Sequence, residues 1–285
     1  KNYALHSGAI YSYNCLKNTS TLLSDKVAYT YVYNSCFDSN TVGGTAQGSH
    51  FRSHGKSKNV IVNSTFTGGN STTGGLRLRT GATCYLVSCT FTDNGSGPYN
   101  QSSVMKVYNT VSYGNSGNKL NYYANLTDSD DLLYSSLIGT MSINGGRVST
   151  GTTLYDAEGN ASDMTISGNL FGAYRDGVYS VEAEPAVSKG MTNAELEALA
   201  NVIKADMPDL EVKYFTRDQK NSPRSECEKV MGAYIGDVYL DPNRDGYINN
   251  TEIDDDLNLR GLITDGSGNP VAGVAVSDGY DLVTT

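Results

Sequence analysis

Two groups of residues in this 285-residue chain have types and spacing that could do chemistry. The first is DPNRDGYINNTE, residues 241–252. Oxygen donors fall where a calcium loop gathers its ligands: Asp241, Asn243 and Asp245, then the Tyr247 carbonyl, Asn249 through a water, and Glu252 closing with both carboxylate oxygens. Gly246 takes the tight turn and Ile248 the apolar position. Carboxylates crowded in this way would repel without a cation, so the expected cofactor is calcium; a solvated acidic linker is the bland alternative.

The second group is cationic and aromatic. GSHFRSHG (48–55), GLRLRTG (75–81) and SVMKVYN (103–109) alternate as strands do. Phe51, Leu76 and Met105 then face a core, as do Ser53, Leu78 and Val107. Arg52, Arg77 and Lys106 face out at one level, and His54, Arg79 and Tyr108 at the next. Tyr11 and Tyr13 of GAIYSYN (8–14) extend the two columns across an insertion. Outward guanidinium groups could take carboxylates or sulfates, and Tyr rings could stack on sugar faces. As catalysts the candidates are Lys106, Arg79 or His54, acting as a base or as the neutraliser of a uronate carboxylate. No acid pair suited to hydrolysis is visible, and Asp38 and Asp93 read as turn residues in other columns.

A stack of elements must hold these columns in line, and the sequence repeats accordingly. NSCFDSN (34–40), NSTFTGGN (63–70) and SCTFTDN (88–94) share one motif, with NTVSYGN (109–115) a weaker copy. Phe37 and Phe66 are 29 residues apart, and Phe66 and Phe91 are 25. A period in that range, rich in Thr, Val, Tyr, Gly and Asn, reads as a β-solenoid. MTISGNLF (164–171) reads as a late rung. The hydrophobic fraction of 38% and the 31 Gly suit a thin, stacked core. The odd count of five Cys, without metal spacing, argues against a disulfide framework, and Cys36 and Cys89 read as core or ladder positions.

Net charge is −9, so a general affinity for nucleic acid is not expected. No apolar run is long enough to span a membrane. With neither a starting Met nor a signal peptide, the chain reads as a piece of a larger protein, with further domains of the same polypeptide as partners.

One helix interrupts the pattern. Thr192 and Glu195 form a capping box, and Leu196, Leu199, Ala200 and Ile203 form one apolar stripe, with Pro208 beyond its end. It is expected to pack on the end of the solenoid, where a terminal rung would leave pairing edges open.

These motifs, in this order, resemble the right-handed parallel β-helix family of bacterial surface proteins of the choice-of-anchor type. EPAVSKG (184–190) resembles the segment after that family's last rungs, and SPRSECEKVMGAYIG (222–236) its closing strand. The loop at 241–252 is of EF-hand type and, single as it is, resembles a dockerin loop or an interdomain calcium clip. GNPVAGVAVSDG (268–279), within 259–285, resembles the opening of a carboxypeptidase-regulatory-type β-sandwich, as found before calcineurin-like phosphoesterases. The resemblance implies an all-β fold and an extracellular or bacterial cell-surface location. The helix would span 1–236, with a helical insertion at about 192–207. A calcium loop and linker would follow at 237–257, then a partial sandwich at 258–285. Three functions are open on this reading: binding or adhesion to an anionic polysaccharide or host glycan, cleavage of an acidic polysaccharide as a lyase or hydrolase, or a spacer for a downstream domain.

Overall fold

The structure, a computed structural model of the chain, describes residues 2–4, 7–13, 27–43, 48–116, 122–125, 132–143, 148–224, 229–235, 275–277 and 282–284. The chain divides into two compact units, Lys1–Gly236 and Asp237–Thr285. In the second, Ala275–Ser277 pairs antiparallel with Leu282–Thr284. The calcium loop at 241–252 lies outside the described residues.

The first unit is a parallel β-helix in which each coil gives one strand to each of three sheets. One coil is Phe51–His54, Ser57–Val62 and Thr65–Thr67. The next is Leu76–Arg79, Thr83–Val87 and Thr90–Thr92. The one after is Tyr99–Gln101, Val104–Tyr108 and Val111–Ser112. Strands of successive coils stack in parallel register, so a residue type repeated in sequence becomes a column in space. The repeated aromatic shows this directly. Phe37, Phe66 and Phe91 are buried and stack face to face, with centroids 4.5 Å apart and planes within 9°.

Corners between the second and third sheets need left-handed backbone. The residue there is Asn34, Asn63, Ser88, Asn109 or Ser135, with φ of 43–51°. Asn tolerates this region because its short side chain bonds locally. Each corner also donates its N–H one coil onward, from Asn63 to the Val87 carbonyl (3.0 Å) and from Ser88 to that of Tyr108 (2.9 Å). The repeat therefore opens on Asn or Ser because that residue makes the corner.

Parallel stacking runs as far as Met141–Ile143 and then reverses. Thr152–Tyr155 pairs antiparallel with Ser136–Ile138, and Ala161–Met164 pairs antiparallel with it in turn. MTISGNLF is thus not a rung: Met164 ends an antiparallel strand, Leu170 is buried, and Phe171 makes an isolated antiparallel bridge to Val181. The edge of the third sheet is covered by these strands rather than by the helix.

The helix, Asn193–Lys204, forms with its capping box complete. The Thr192 N–H donates to Glu195 Oε2 at 2.7 Å, and the Glu195 N–H donates to Thr192 Oγ1 at 3.2 Å. Its position differs from expectation. Leu196, Ala200 and Ile203 pack against Val60, Val62, Tyr85 and Val87 on the outer face of the second sheet. The second sheet carries buried apolar residues on both its faces, with Val60, Val62 and Val87 outside and Ile61 and Leu86 inside, and the antiparallel strands already protect the coil end, so the flank is where burial gains most.

Residues 216–224 and 229–235 run beside the corners. Arg224 is buried, and its guanidinium donates to the carbonyls of Arg217, Val230 and Gly232 and to Asn63 Oδ1. Among the described residues of the stretch read as a closing strand, Tyr234 makes an isolated parallel bridge to Ser180 and Pro223 an isolated antiparallel bridge to Arg217. Cys89 is buried, whereas Cys36, next to the inward Phe37, faces out in the ladder and meets the Tyr174 hydroxyl at 3.3 Å.

Candidate anion-binding wall

The outer face of the first sheet collects the arginines. Its register places Tyr11, Arg52, Arg77, Tyr99 and Tyr123 in one row. Tyr13, His54, Arg79 and Gln101 form the row beside it. The arginine pair is held between aromatic rings. The Arg52 guanidinium carbon lies 4.9 Å from the centroid of Tyr11, and that of Arg77 lies 5.3 Å from Tyr99. Tyr99 stacks in turn on Tyr123, with centroids 4.4 Å apart. In the second row Tyr13 lies 5.6 Å from His54, centroid to centroid. Such cation–π contacts favour the charged form and hold the side chains in line.

These side chains point outward yet are buried: Arg52, Arg77 and His54 are 5%, 6% and 7% exposed. Their hydrogen-bonding capacity is largely unused. Arg77 Nη2 donates to Gln101 Oε1 at 2.7 Å. Arg52 Nε, Arg77 Nε and Nη1, Arg79 Nε and His54 Nε2 are buried with no partner. The ion pairs among the described residues, Lys58–Asp206, Lys213–Glu211 and Lys220–Asp176, lie elsewhere. Among the described residues, three guanidinium groups therefore share one wall without a carboxylate partner. At one rung spacing of about 4.8 Å, each like-charge pair costs roughly 1 kcal/mol in water and roughly 3 kcal/mol at the effective dielectric of a protein surface.

The electrostatics follow from this crowding. Burial first, then Arg79, lowers the Arg77 guanidinium to about 10, which still leaves it charged at neutral pH. Burial also lowers Arg52, with Arg79 adding to it. His54 is held below its ordinary value by burial and then by Arg79, Arg52 and Arg77, so at neutral pH its imidazole is uncharged. An anion arriving here would meet donors that are already desolvated and already aligned.

Two of the sequence-derived columns need correction. Lys106 and Tyr108 do not join the arginines. They belong to Val104–Tyr108 in the second sheet, where Lys106 stands beside Tyr85 and Tyr108 beside Val87. Lys106 Nζ lies 5.2 Å from the Tyr85 ring, and Tyr108 stacks on Tyr134 at 5.4 Å. Lys106 therefore cannot act with Arg79 or His54 on one substrate group. The first-sheet strand of that coil is Tyr99–Gln101, whose short, polar Tyr-Asn-Gln lacks the apolar alternation of Val-Met-Lys-Val-Tyr. Spacing holds the missed signal: Phe66 follows His54 by 12 residues and Phe91 follows Arg79 by 12, whereas Ser112, the ladder partner of Phe91, follows Tyr108 by only 4. Tyr11 and Tyr13 do extend the columns. Asp93, the bend residue after Thr90–Thr92, accepts from the Tyr179 hydroxyl at 2.9 Å, and Asp38 ends the third-sheet strand Cys36–Asp38; neither is on the first-sheet strands that carry the arginines.

No protein-family model, no curated protein and no solved structure matches the chain.

Proposed function

We propose that the first unit is a binding solenoid whose first-sheet wall takes an anionic glycan, with Arg52, Arg77, Arg79 and His54 meeting its charged groups and Tyr11 and Tyr13 offering ring faces. One observation carries the reading. Two buried guanidinium groups, a partly buried one and an imidazole keep buried nitrogens unpaired on a single wall, with no carboxylate beside them among the described residues. A pure spacer gains nothing from that repulsion, whereas a bound anion offsets it. Tyr11 and Tyr13, 44% and 39% exposed, border the cluster and suit stacking against sugar rings.

The order of motifs supports a secreted or surface-attached protein of the choice-of-anchor type. In it the loop formed by Asp241, Asn243, Asp245, Tyr247, Asn249 and Glu252 binds calcium. The sandwich-like stretch at 258–285 then leads to a further domain.

Isothermal titration at low ionic strength with a sulfated glycan and with a uronate polymer tests the binding. Saturable binding that weakens as salt rises is expected, because screening shortens the reach of the arginines. Absence of binding to either polymer leaves the spacer reading in its place. Ultraviolet-absorbing unsaturated products released from the uronate polymer would instead identify a lyase.

A further inference from the structure

The corrected register changes the shape of the charge. With Lys106 on another sheet, the cations on this wall among the described residues are Arg52, Arg77 and Arg79, spanning two coils. Tyr11 lies beyond Arg52, and Tyr99 lies beyond Arg77. Tyr13 lies beyond His54, and Gln101 beyond Arg79. The wall is therefore a compact patch closed at both ends by neutral side chains, not a track along the solenoid. A long polyanion would meet it at one point.

The unpaired nitrogens at that point come from two adjacent strands and two adjacent rows: Arg52 Nε and His54 Nε2 from one coil, and the donors Arg77 Nε, Arg77 Nη1 and Arg79 Nε from the next. A carboxylate has two oxygens in one plane and is matched by one guanidinium fork. It would leave the remaining buried donors unpaired. A sulfate or phosphate ester presents three terminal oxygens as a tripod, so it can accept from side chains on both strands and in both rows at once. We infer that the patch is a site for one tetrahedral oxyanion, a sulfate or phosphate ester carried on the glycan, in preference to a uronate carboxylate. The inference rests on the anionic-glycan reading above and adds the identity of the anionic group.

Methyl sulfate, methyl phosphate and acetate serve as probes, titrated into the whole chain at one ionic strength. Methyl sulfate and acetate carry the same single charge, so a difference between them reports geometry. Methyl sulfate or methyl phosphate is expected to bind about tenfold or more tighter than acetate, as multidentate charge-assisted bonding allows. Which of the two binds tighter tells a sulfate-bearing from a phosphate-bearing ligand. Binding should be lost in Arg77→Ala/Arg79→Ala and weakened in Arg77→Lys/Arg79→Lys, which keeps the charge but removes the fork. A thermal melt that matches the parent's shows that each variant is folded. Two results would overturn the inference. If acetate binds as tightly as methyl sulfate and methyl phosphate and is lost in the double Ala variant, the site takes carboxylates, and only the glycan reading survives. If no probe binds and no anionic glycan is bound by the parent, both readings fall.

Discussion

At the scale of single residues, the interior of the solenoid is a set of stacked columns, with buried polar side chains among the apolar ones. Phe66 lies between Phe37 and Phe91 with both faces covered, so Phe66→Ala removes two ring contacts and leaves a cavity no neighbour can fill. A loss of about 3–5 kcal/mol is expected in urea denaturation. His50 is one of these and is titratable. Its Nδ1 accepts from Asn40 Nδ2 (3.0 Å) and its Nε2 donates to Asn94 Oδ1 (2.9 Å). Asn94 spends its Nδ2 on the Phe66 and Thr92 carbonyls, which fixes the amide orientation and hence the His50 tautomer. Gly69 makes the room, since a Cβ there would sit 2.1 Å from Ser49 Oγ and 2.5 Å from His50 Nε2. Burial holds His50 down to about 4, against an ordinary 6.5. Between those values the unfolded chain binds a proton that the folded chain does not. Stability should therefore fall as pH drops from 6.5 to about 4, by about 3 kcal/mol from this group. Denaturation midpoints measured across that range, with His50→Gln as the comparison, check this: the variant should show a flatter profile there.

At the scale of elements, what was legible in the sequence was what repeats. Asn63, Ser88 and Asn109 mark corners because left-handed backbone narrows the choice of residue, and Phe37, Phe66 and Phe91 mark strands because a column needs like shapes. The helix was legible from Thr192, Glu195 and its apolar stripe because capping is a local matter. Its docking was not, because Leu196 and Ile203 read as apolar without naming the surface they meet. That surface includes Val60, Val62 and Val87, which the alternation rule alone would have left facing solvent. Tyr99–Gln101 escaped notice because a three-residue strand has almost no period to detect. Leu196→Ala is expected to cost about 2–5 kcal/mol, the range for a buried Leu in a packed interface. It should also increase hydrogen exchange at the backbone of 193–204 and of Ser57–Val62 together. Exchange confined to the helix would mean that it does not brace the second sheet.

At the scale of the whole molecule, the solenoid supplies a rigid lattice on which side chains from distant parts of the sequence meet at one spacing. It brings Arg52 of one coil beside Arg77 of the next while separating both from Lys106, which sequence alternation alone had placed with them. On the proposed function, a calcium loop at 241–252 would gather its ligands only when folded. Calcium should raise the midpoint of a thermal melt by linkage, and Glu252→Gln, which removes the bidentate closure, should abolish the rise. The central claim, that the first-sheet wall and not the second receives the anion, is tested most directly by retention on an immobilised sulfated glycan at low salt. The parent, Arg77→Ala/Arg79→Ala and Lys106→Ala should be compared on one column. The parent and Lys106→Ala should elute together at elevated salt, and the arginine variant should pass through unretained. Equal retention of the arginine variant and the parent, or a loss confined to Lys106→Ala, would contradict the account.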